Sequence, residues 1–501
     1  MKKTGRVIVI GLDGGDWDIL LPLVREGKLP NIKRLINRGI WGKLQSTIPP
    51  ISASAWVSLF TGKNPGKHGI FDFAKVIVTK NGYRIKPVTS RDIDSLAIWD
   101  LLSMRGKRVA IINVPMTYPP WKVYGIMISG FPCPEKLGKH TYPRKLIYEL
   151  KKEFGKDLHF QPKYSPFDDE EAFVDDQFVI ADYVEKVTLY IMERNYEFIW
   201  TTFVGLDALG HVLWKYIDEN HPRYKGASRK LKQAITEMCI RLDIALGKIL
   251  STMNEDDVII LVSDHGLGPV YYAVSLNKWL IDEGFIKLKT NFWTKVKKVL
   301  FNLGFTPNRL FSIVSLINLG KKIQTEAYRE RSLIKMLINK ITLSLDDIDW
   351  CNTLAYASGN MGQIYINKYA IQGQQYTSLI SDLIDRLKRL THNDKQIFDL
   401  IYRKETLYRG KYLQEAPDIV CINSLQKYIV SRFFELGSNK LIDVHPFWSG
   451  THRLYGIFAI HGRDTYFTSK RRNASVYDIA PTILSLYGLP IPKEMDGEAI
   501  V

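Results

Sequence analysis

Along the first half of the chain, short apolar runs alternate with longer stretches in which apolar residues recur every three to four positions. Val7 to Leu12 is a run of strand length, interrupted at Gly11 and stopped by Asp13. Leu29 to Arg38 has helical spacing, with Pro30 near its start and Gly39 at its end. Val109 to Val114 predicts a second strand. Glu170 to Met192 predicts a helix that opens on acidic residues, which suits the positive end of the helix dipole. It leads into a strand at Phe198 to Val204. Ala227 to Met253 is again helical, and Asp257 to Val262 contains the clearest fully buried strand, Val258-Ile259-Ile260-Leu261-Val262. Strands alternating with helices predict an α/β fold with a mostly parallel central sheet covered by helices on both faces.

The pattern changes near Lys287. Phe292, Val296, Val299, Leu300 and Leu303 fall on one helical face, with Lys295, Lys297 and Lys298 away from it. A second helix is signalled by Thr306 as cap and Pro307 at the first position, continuing through Leu310, Phe311, Val314 and Ile317. Strand-like patterns resume at Leu354 to Ala357 and Gln363 to Ile366. The expected organisation is therefore a first part of the core over residues 1–286, an inserted basic helical subdomain or cap over 287–345, and a second part of the core over 346–501.

Charge sharpens this division. The 501 residues carry 69 Lys plus Arg against 52 Asp plus Glu, a net of +17. Residues 287 to 340 hold twelve basic and two acidic side chains, so +10 of the excess sits there and +7 is spread over the rest. Three roles fit such a segment. It can be a solvated decoration, a cap whose positive field draws in an anionic ligand, or an amphipathic element on an anionic membrane surface, which Phe292, Trp293 and Phe311 suit. With no nucleic-acid-binding module in the sequence, specific nucleic-acid binding is not expected.

With 46% hydrophobic and 24% charged residues the composition is that of a globular protein and excludes disordered, collagenous and disulfide-scaffold classes. The four cysteines, Cys133, Cys239, Cys351 and Cys421, lack metal-site spacing. No signal peptide or membrane span is read from the chain, so the expectation is a cytoplasmic protein, with peripheral membrane contact through residues 287 to 340 kept open.

In open α/β sheets, ligands gather beyond the carboxyl ends of strands. Three such places carry metal-ligand residue types: Asp13 after the first strand, Asp207 and His211 four apart after Phe198 to Val204, and Asp264-His265 after the most hydrophobic strand. One such aspartate alone reads as a cap or turn residue. Together they supply carboxylates and imidazoles suited to Zn or Mn.

These motifs, with Leu12-Asp13-Gly14, Leu29-Pro30-Asn31, Ser46-Thr47-Ile48-Pro49-Pro50, Thr61-Gly62, Pro65-Gly66-Lys67-His68-Gly69, Gly450-Thr451-His452 and Asp478-Ile479-Ala480-Pro481-Thr482, resemble the alkaline phosphatase superfamily, within it the type I phosphodiesterase/nucleotide pyrophosphatase branch. The resemblance runs in order through nearly all of the chain except the basic insert. It implies two divalent metal ions, Zn2+ or Mn2+. One would be held by Asp207, His211 and His452, the other by Asp13, Asp264, His265 and the nucleophile. The nucleophile falls on Ser52, with Ser54 and Thr47 nearby.

Ala53 to Phe60 predicts a helix, which places Ser52 at its start, where free backbone N–H groups favour an anion. A plain capping role suits Ser52 equally well on the residues alone. Where the nucleotide enzymes of the family carry an Asn three residues after the nucleophile, this chain has Ala55 followed by Trp56. Replacement contacts to substrate are sought in Lys67, His68, Asn360 and Arg453. The arylsulfatase motif is missing, since Cys133-Pro134-Glu135 lacks its arginine, and so is the phosphoglycerate mutase serine signature. The expected activity is hydrolysis of an anionic phosphoester, small or linked to a lipid or glycan, through a phosphorylated Ser52. A phosphomonoesterase, a phosphonate hydrolase and a non-catalytic anion-binding relative are the alternatives.

Overall fold

Val7–Leu12 lies in the middle of a ten-stranded sheet in the computed structural model, which describes residues 5–501 except 81, 135–139, 168, 317–332, 360, 372, 426, 431–435 and 463–469. The strand order is Lys470–Arg471, Ile40–Gln45, Tyr455–His461, Val258–Val262, Val7–Leu12, Phe198–Phe203, Val109–Val114, Gly125–Ser129 and Thr141–Tyr142, with Ala474–Ser475 also paired to Ile40–Gln45. The five strands from Val258–Val262 to Gly125–Ser129 are mutually parallel. Antiparallel pairings flank them on both sides.

Strand periodicity explains how one sheet carries two cores. Ile8, Ile10 and Leu12 point into one apolar cluster, where the helices Glu170–Met192 and Arg229–Ser251 supply Ile180, Val184, Leu242 and Ile249. Val7 and Val9 point the other way, toward Trp56, Phe60, Trp99 and Ile483 from the helices Ser52–Thr61, Ile98–Met104 and Ile479–Leu486. Each such buried side chain contributes about 1.5–3 kcal/mol. Both long helices begin at capping side chains: Asp169 accepts from the N–H groups of Glu171 and Ala172, and Ser228 from that of Leu231.

Downstream of Val258–Val262 the chain leaves this sheet and rejoins it at Tyr455–His461. The strands just beyond residue 346 build a four-stranded antiparallel sheet separate from the central one. That sheet consists of Ala355–Ala357, Gln363–Ile366, Ile419–Ile422 and Leu400–Arg403. It packs with Trp279 and Leu280, and with Ile380 and Leu383 of the helix Gln374–Lys388, around its own apolar cluster. An apolar run marks a strand without naming its partner, so the pattern locates these strands but not their sheet.

In the basic segment the helices Phe292–Asn302, Pro307–Leu316 and Leu333–Ile341 are present, and Thr306 Oγ1 accepts from the Arg309 N–H at 3.4 Å. Ile317 and residues up to 332 lie outside the described residues, as does the side chain of Phe311. The predicted apolar face of Phe292–Asn302 exists but points outward. Thr294 and Phe301 are its buried residues, because Thr294 Oγ1 and Lys297 Nζ bind Asp347 while Phe301 packs with Leu343 and Leu436. Among the described residues, no helix is long and apolar enough to cross a membrane.

Candidate active site

Because the central strands are parallel and in register, with Gly11 opposite Val262 and Leu12 opposite Phe203, their carboxyl ends meet at one edge. Asp13 leaves the first strand there and Asp264-His265 the neighbouring one. On the other side, Phe198–Phe203 runs into the helix Gly205–Leu213, whose one-turn spacing stacks His211 on Asp207, Nε2 to Oδ2 3.4 Å. His452 arrives from far along the chain. The strand Gly450–Arg453 pairs antiparallel with Gly266–Pro269, immediately after His265, and this ribbon stacks the His265 and His452 rings with centroids 3.6 Å apart.

The predicted ligand sets each converge. His211 Nε2 lies 3.1 Å from His452 Nε2, and His452 Nε2 lies 3.6 Å from Asp207 Oδ1. His265 Nε2 lies 2.9 Å from Ser52 Oγ, 3.1 Å from Asp264 Oδ2 and 3.6 Å from Asp13 Oδ1. His265 also groups with Asp207 and His452, so it stands between the two sets.

Hydrogen bonding at the back of each ring decides what its front presents. Nδ1 of His211 donates to the Gly450 carbonyl (2.8 Å), that of His265 to Gly266 (3.0 Å) and that of His452 to Pro50 (2.7 Å). A carbonyl only accepts, so in the neutral rings all three Nε2 lone pairs face the cluster. There they meet Asp13 Oδ1, Asp207 Oδ1 and Asp264 Oδ2, all buried and without a hydrogen-bond donor among the described residues. Lone pairs and carboxylate oxygens this close repel unless protons or cations stand among them. The donor set, three imidazole nitrogens, three carboxylates and one hydroxyl, fits two divalent metal ions.

Acid-base behaviour points the same way. Burial, then the charges of Asp264 and Asp207, push the Asp13 carboxyl well above its usual range. Burial opposes ionisation of Asp207 too, but His211, His452 and His265 outweigh it and hold that carboxyl below its usual value. For His265, burial is outweighed by Asp264, Asp13 and Asp207, which lift it to about 10. Burial and neighbouring His265 drive His452 well below the ordinary imidazole value. The upward shifts on Asp13 and His265 mark a cluster in which negative charge is in excess. No lysine or arginine forms an ion pair with Asp13, Asp207 or Asp264 among the described residues.

Ser52 is the first residue of the helix Ser52–Thr61, with Ile51 capping it without a side-chain bond. The backbone N–H groups of Ser52, Ala53 and Ser54 meet no acceptor among the described residues, whereas Ala55 N–H already donates to the Ile51 carbonyl. Three unused donors at the positive end of a helix form a cradle for an anion beside the Ser52 hydroxyl. The neighbouring hydroxyls are placed differently. Thr47 Oγ1 and Ser54 Oγ are 3.0 Å apart, Thr47 donates to the Pro49 carbonyl and Ser54 to that of Ile51.

Three of the four residues considered as substrate contacts have partners outside the cluster. Lys67 is tied to Asp496 and to the Glu494 carbonyl. His68 is fully buried, bonded to Ser58 Oγ at 3.0 Å and to the Ile70 N–H at 3.2 Å. Arg453, half-buried at the end of the ribbon strand, donates to the Pro269 carbonyl at 2.6 Å. Asn360 lies outside the described residues.

Trp56 was noted in the sequence only as the neighbour of Ala55, yet its Nε1 donates to Asp13 Oδ2 at 3.1 Å. The one signal that could have found it is Gly11, where a Cβ would fall 2.6 Å from the Trp56 ring. Trp448 was missed as well, with its ring 5.1 Å from that of His211 and 5.7 Å from that of Phe167.

Known proteins place this geometry in context. The family model for type I phosphodiesterase / nucleotide pyrophosphatase matches residues 7–440. The fold is similar to a quadruple mutant of the alkaline phosphatase PafA, at TM-score 0.54 and 12% identity, covering 100% of this chain and 99% of that one. It is also similar to phosphonoacetate hydrolase from Sinorhizobium meliloti 1021 in complex with phosphonoformate, at TM-score 0.52 and 14% identity over 97% and 96% of the chains. An inactive murine ectonucleotide pyrophosphatase / phosphodiesterase 5 in complex with AMP gives 0.51 and 13%, also over 97% and 96%. Among curated proteins, phosphopentomutase of Clostridium perfringens is 34% identical over 86 residues, 17% of this chain. The chain thus spans 17% of the length of the curated relatives it matches.

Proposed function

Since the chain belongs to the type I phosphodiesterase / nucleotide pyrophosphatase family of the alkaline phosphatase superfamily, we propose that it hydrolyses phosphoesters at the cluster around Ser52, with diesters as the preferred class. The observation that carries the reading is the meeting of Ser52 Oγ, three inward-facing imidazole nitrogens and three buried carboxylates.

In this reading Asp207, His211 and His452 hold one divalent metal, and Asp13, Asp264, His265 and Ser52 hold the other. Two such ions, Zn2+ or Mn2+, would supply Lewis-acid stabilisation of charge on the attacking and leaving oxygens. Ser52 Oγ attacks phosphorus and becomes phosphorylated as the alcohol leaves; water then breaks the new O–P bond and restores the hydroxyl. The free N–H groups of Ser52, Ala53 and Ser54 face the non-bridging oxygens and stand in for the donor that Ala55 lacks.

Charge balance supports the preference for diesters. Three carboxylates and an ionised Ser52 together neutralise two divalent ions, and among the described residues no lysine or arginine is paired with the cluster to meet the second negative charge of a monoester. A phosphonate is a second reading, supported by the fold shared with phosphonoacetate hydrolase. The substrate is an anionic phosphoester, free or linked to lipid or glycan. A cytoplasmic location completes the reading, supported by four free thiols.

The test is Ser52→Ala with bis-aryl phosphate, aryl monophosphate and aryl sulfate, each with Zn and Mn. The expected result is loss of diester turnover with metal content near two per chain. Full activity in the variant would move the nucleophile elsewhere, and faster monoester than diester turnover in the wild type would refute the charge argument.

A further inference from the structure

The Phe292–Asn302 helix turns its apolar side to solvent. Phe292 and Trp293 are each 71% exposed, Val299 59%, Leu300 38% and Leu303 78%. Leu337 and Ile341, one turn apart on the helix Leu333–Ile341, are exposed as well. Leaving so many large apolar side chains in water is unfavourable, and such a patch marks a surface that docks on something.

Cations border the patch. Lys295 and Lys298 lie on the flank of the same helix and line a cavity of about 300 Å³ with Lys287, Lys289, Thr290 and Thr294. Lys289 donates to the Asp346 carbonyl at 2.7 Å, but Lys287, Lys295 and Lys298 form no ion pair among the described residues. The acids nearby are already engaged: Asp347 by Lys297 and Thr294, Asp282 by Lys278, Glu283 by Arg386. The lysine-lined cavity therefore offers a pocket for an anionic headgroup beside a helix side that can enter the apolar layer.

We infer that this surface docks the protein on an anionic lipid bilayer. Phe292, Trp293, Val299, Leu300 and Leu303 enter the headgroup and acyl boundary, while Lys287, Lys295 and Lys298 meet lipid phosphates. Only this occupant satisfies both halves of the surface. Nucleic acid would use the lysines and leave the apolar side wet. A second copy packed face to face would bring the two sets of unpaired lysines together.

The test is flotation of the full chain with vesicles of phosphatidylglycerol and phosphatidylcholine, or of phosphatidylcholine alone, at about 0.15 M salt, where charge is screened beyond about 8 Å. At least tenfold stronger partitioning onto the anionic vesicles is expected, weakening as salt rises. Phe292→Ser/Trp293→Ser and Lys295→Glu/Lys298→Glu should each lower it tenfold or more, without changing bis-aryl phosphate turnover or the melting temperature. Equal binding to both vesicle types, wild-type partitioning by either variant, or a dimer in sedimentation that Phe292→Ser/Trp293→Ser abolishes would overturn the inference. None of these readouts depends on which phosphoester the site hydrolyses.

Discussion

Trp56→Phe removes a neutral side chain that hydrogen-bonds a predicted metal ligand. Trp56 is fully buried, and its Nε1 reaches Asp13 Oδ2 at 3.1 Å while Asp13 Oδ1 receives no hydrogen bond. Phenylalanine keeps a ring against Gly11 but removes the N–H. A hydrogen bond to a charged acceptor contributes about 1.5–3 kcal/mol, and with 1.4 kcal/mol per decade that is roughly a 10- to 150-fold loss in affinity for the metal at Asp13. The smaller ring also leaves a small cavity, costing about 1 kcal/mol of stability. Competition with a chromophoric chelator reads the two affinities separately. The site at Asp13, Asp264 and His265 should weaken by that factor, while the one at Asp207, His211 and His452 should stay within about threefold, since the perturbation touches none of its ligands. Equal weakening of both sites would mean that Trp56 acts through the fold as a whole. No weakening of either would refute its role in positioning Asp13.

Chelation should lower the melting temperature. A metal present at about 1,000 times its Kd stabilises by about 4 kcal/mol, which for a chain of this size corresponds to about 4 °C per site. A scan unchanged by chelator, on protein shown to have lost its metal, would contradict the fit of the donor set. Acid should destabilise the protein through His68. Burial holds its folded pKa down at about 3 against the ordinary imidazole value of 6.5, and its Nδ1 faces the Ile70 N–H and cannot donate. A depressed folded pKa makes the unfolded chain bind the extra proton, so this stability is full above about pH 6.5 and falls by about 1.4 kcal/mol per pH unit toward pH 3. Denaturant midpoints of wild type and His68→Gln at pH 7 and pH 5 check this. The variant should be less stable than wild type at pH 7 and lose less between the two pH values; parallel losses would remove His68 as a cause.

Which parts of this were readable from the chain follows from where each signal is stored. Val7–Leu12, Val109–Val114 and Glu170–Met192 appear with the boundaries their apolar patterns predict, because burial on both faces or one stripe leaves a local mark. Ile40–Gln45 left a weak mark, since Gly42 stands inside it, where a Cβ would lie 1.7 Å from the Arg472 carbonyl oxygen. The convergence of Asp13, Asp207 and Asp264 was legible because parallel strands deliver their carboxyl ends to one edge. The approach of His452 rests on a ribbon pairing between segments nearly two hundred residues apart, which only the family resemblance implied. The Nδ1 bonds of the three histidines end on backbone carbonyls, which carry no residue identity at all.

The basic helix shows a different limit. Periodicity at Phe292, Val296, Val299, Leu300 and Leu303 establishes that one side of the helix is apolar, and says nothing about whether that side faces inward. What turned it outward is a polar residue on the opposite side. Thr294 and Lys297 both bind Asp347, whose carboxylate also accepts the Ser344 N–H, so the polar anchor is built into the lobe beneath. An apolar side that the fold had meant to bury would not need its opposite side pinned by a buried carboxylate. The helix Phe292–Asn302 is therefore a surface element held in place by its own underside.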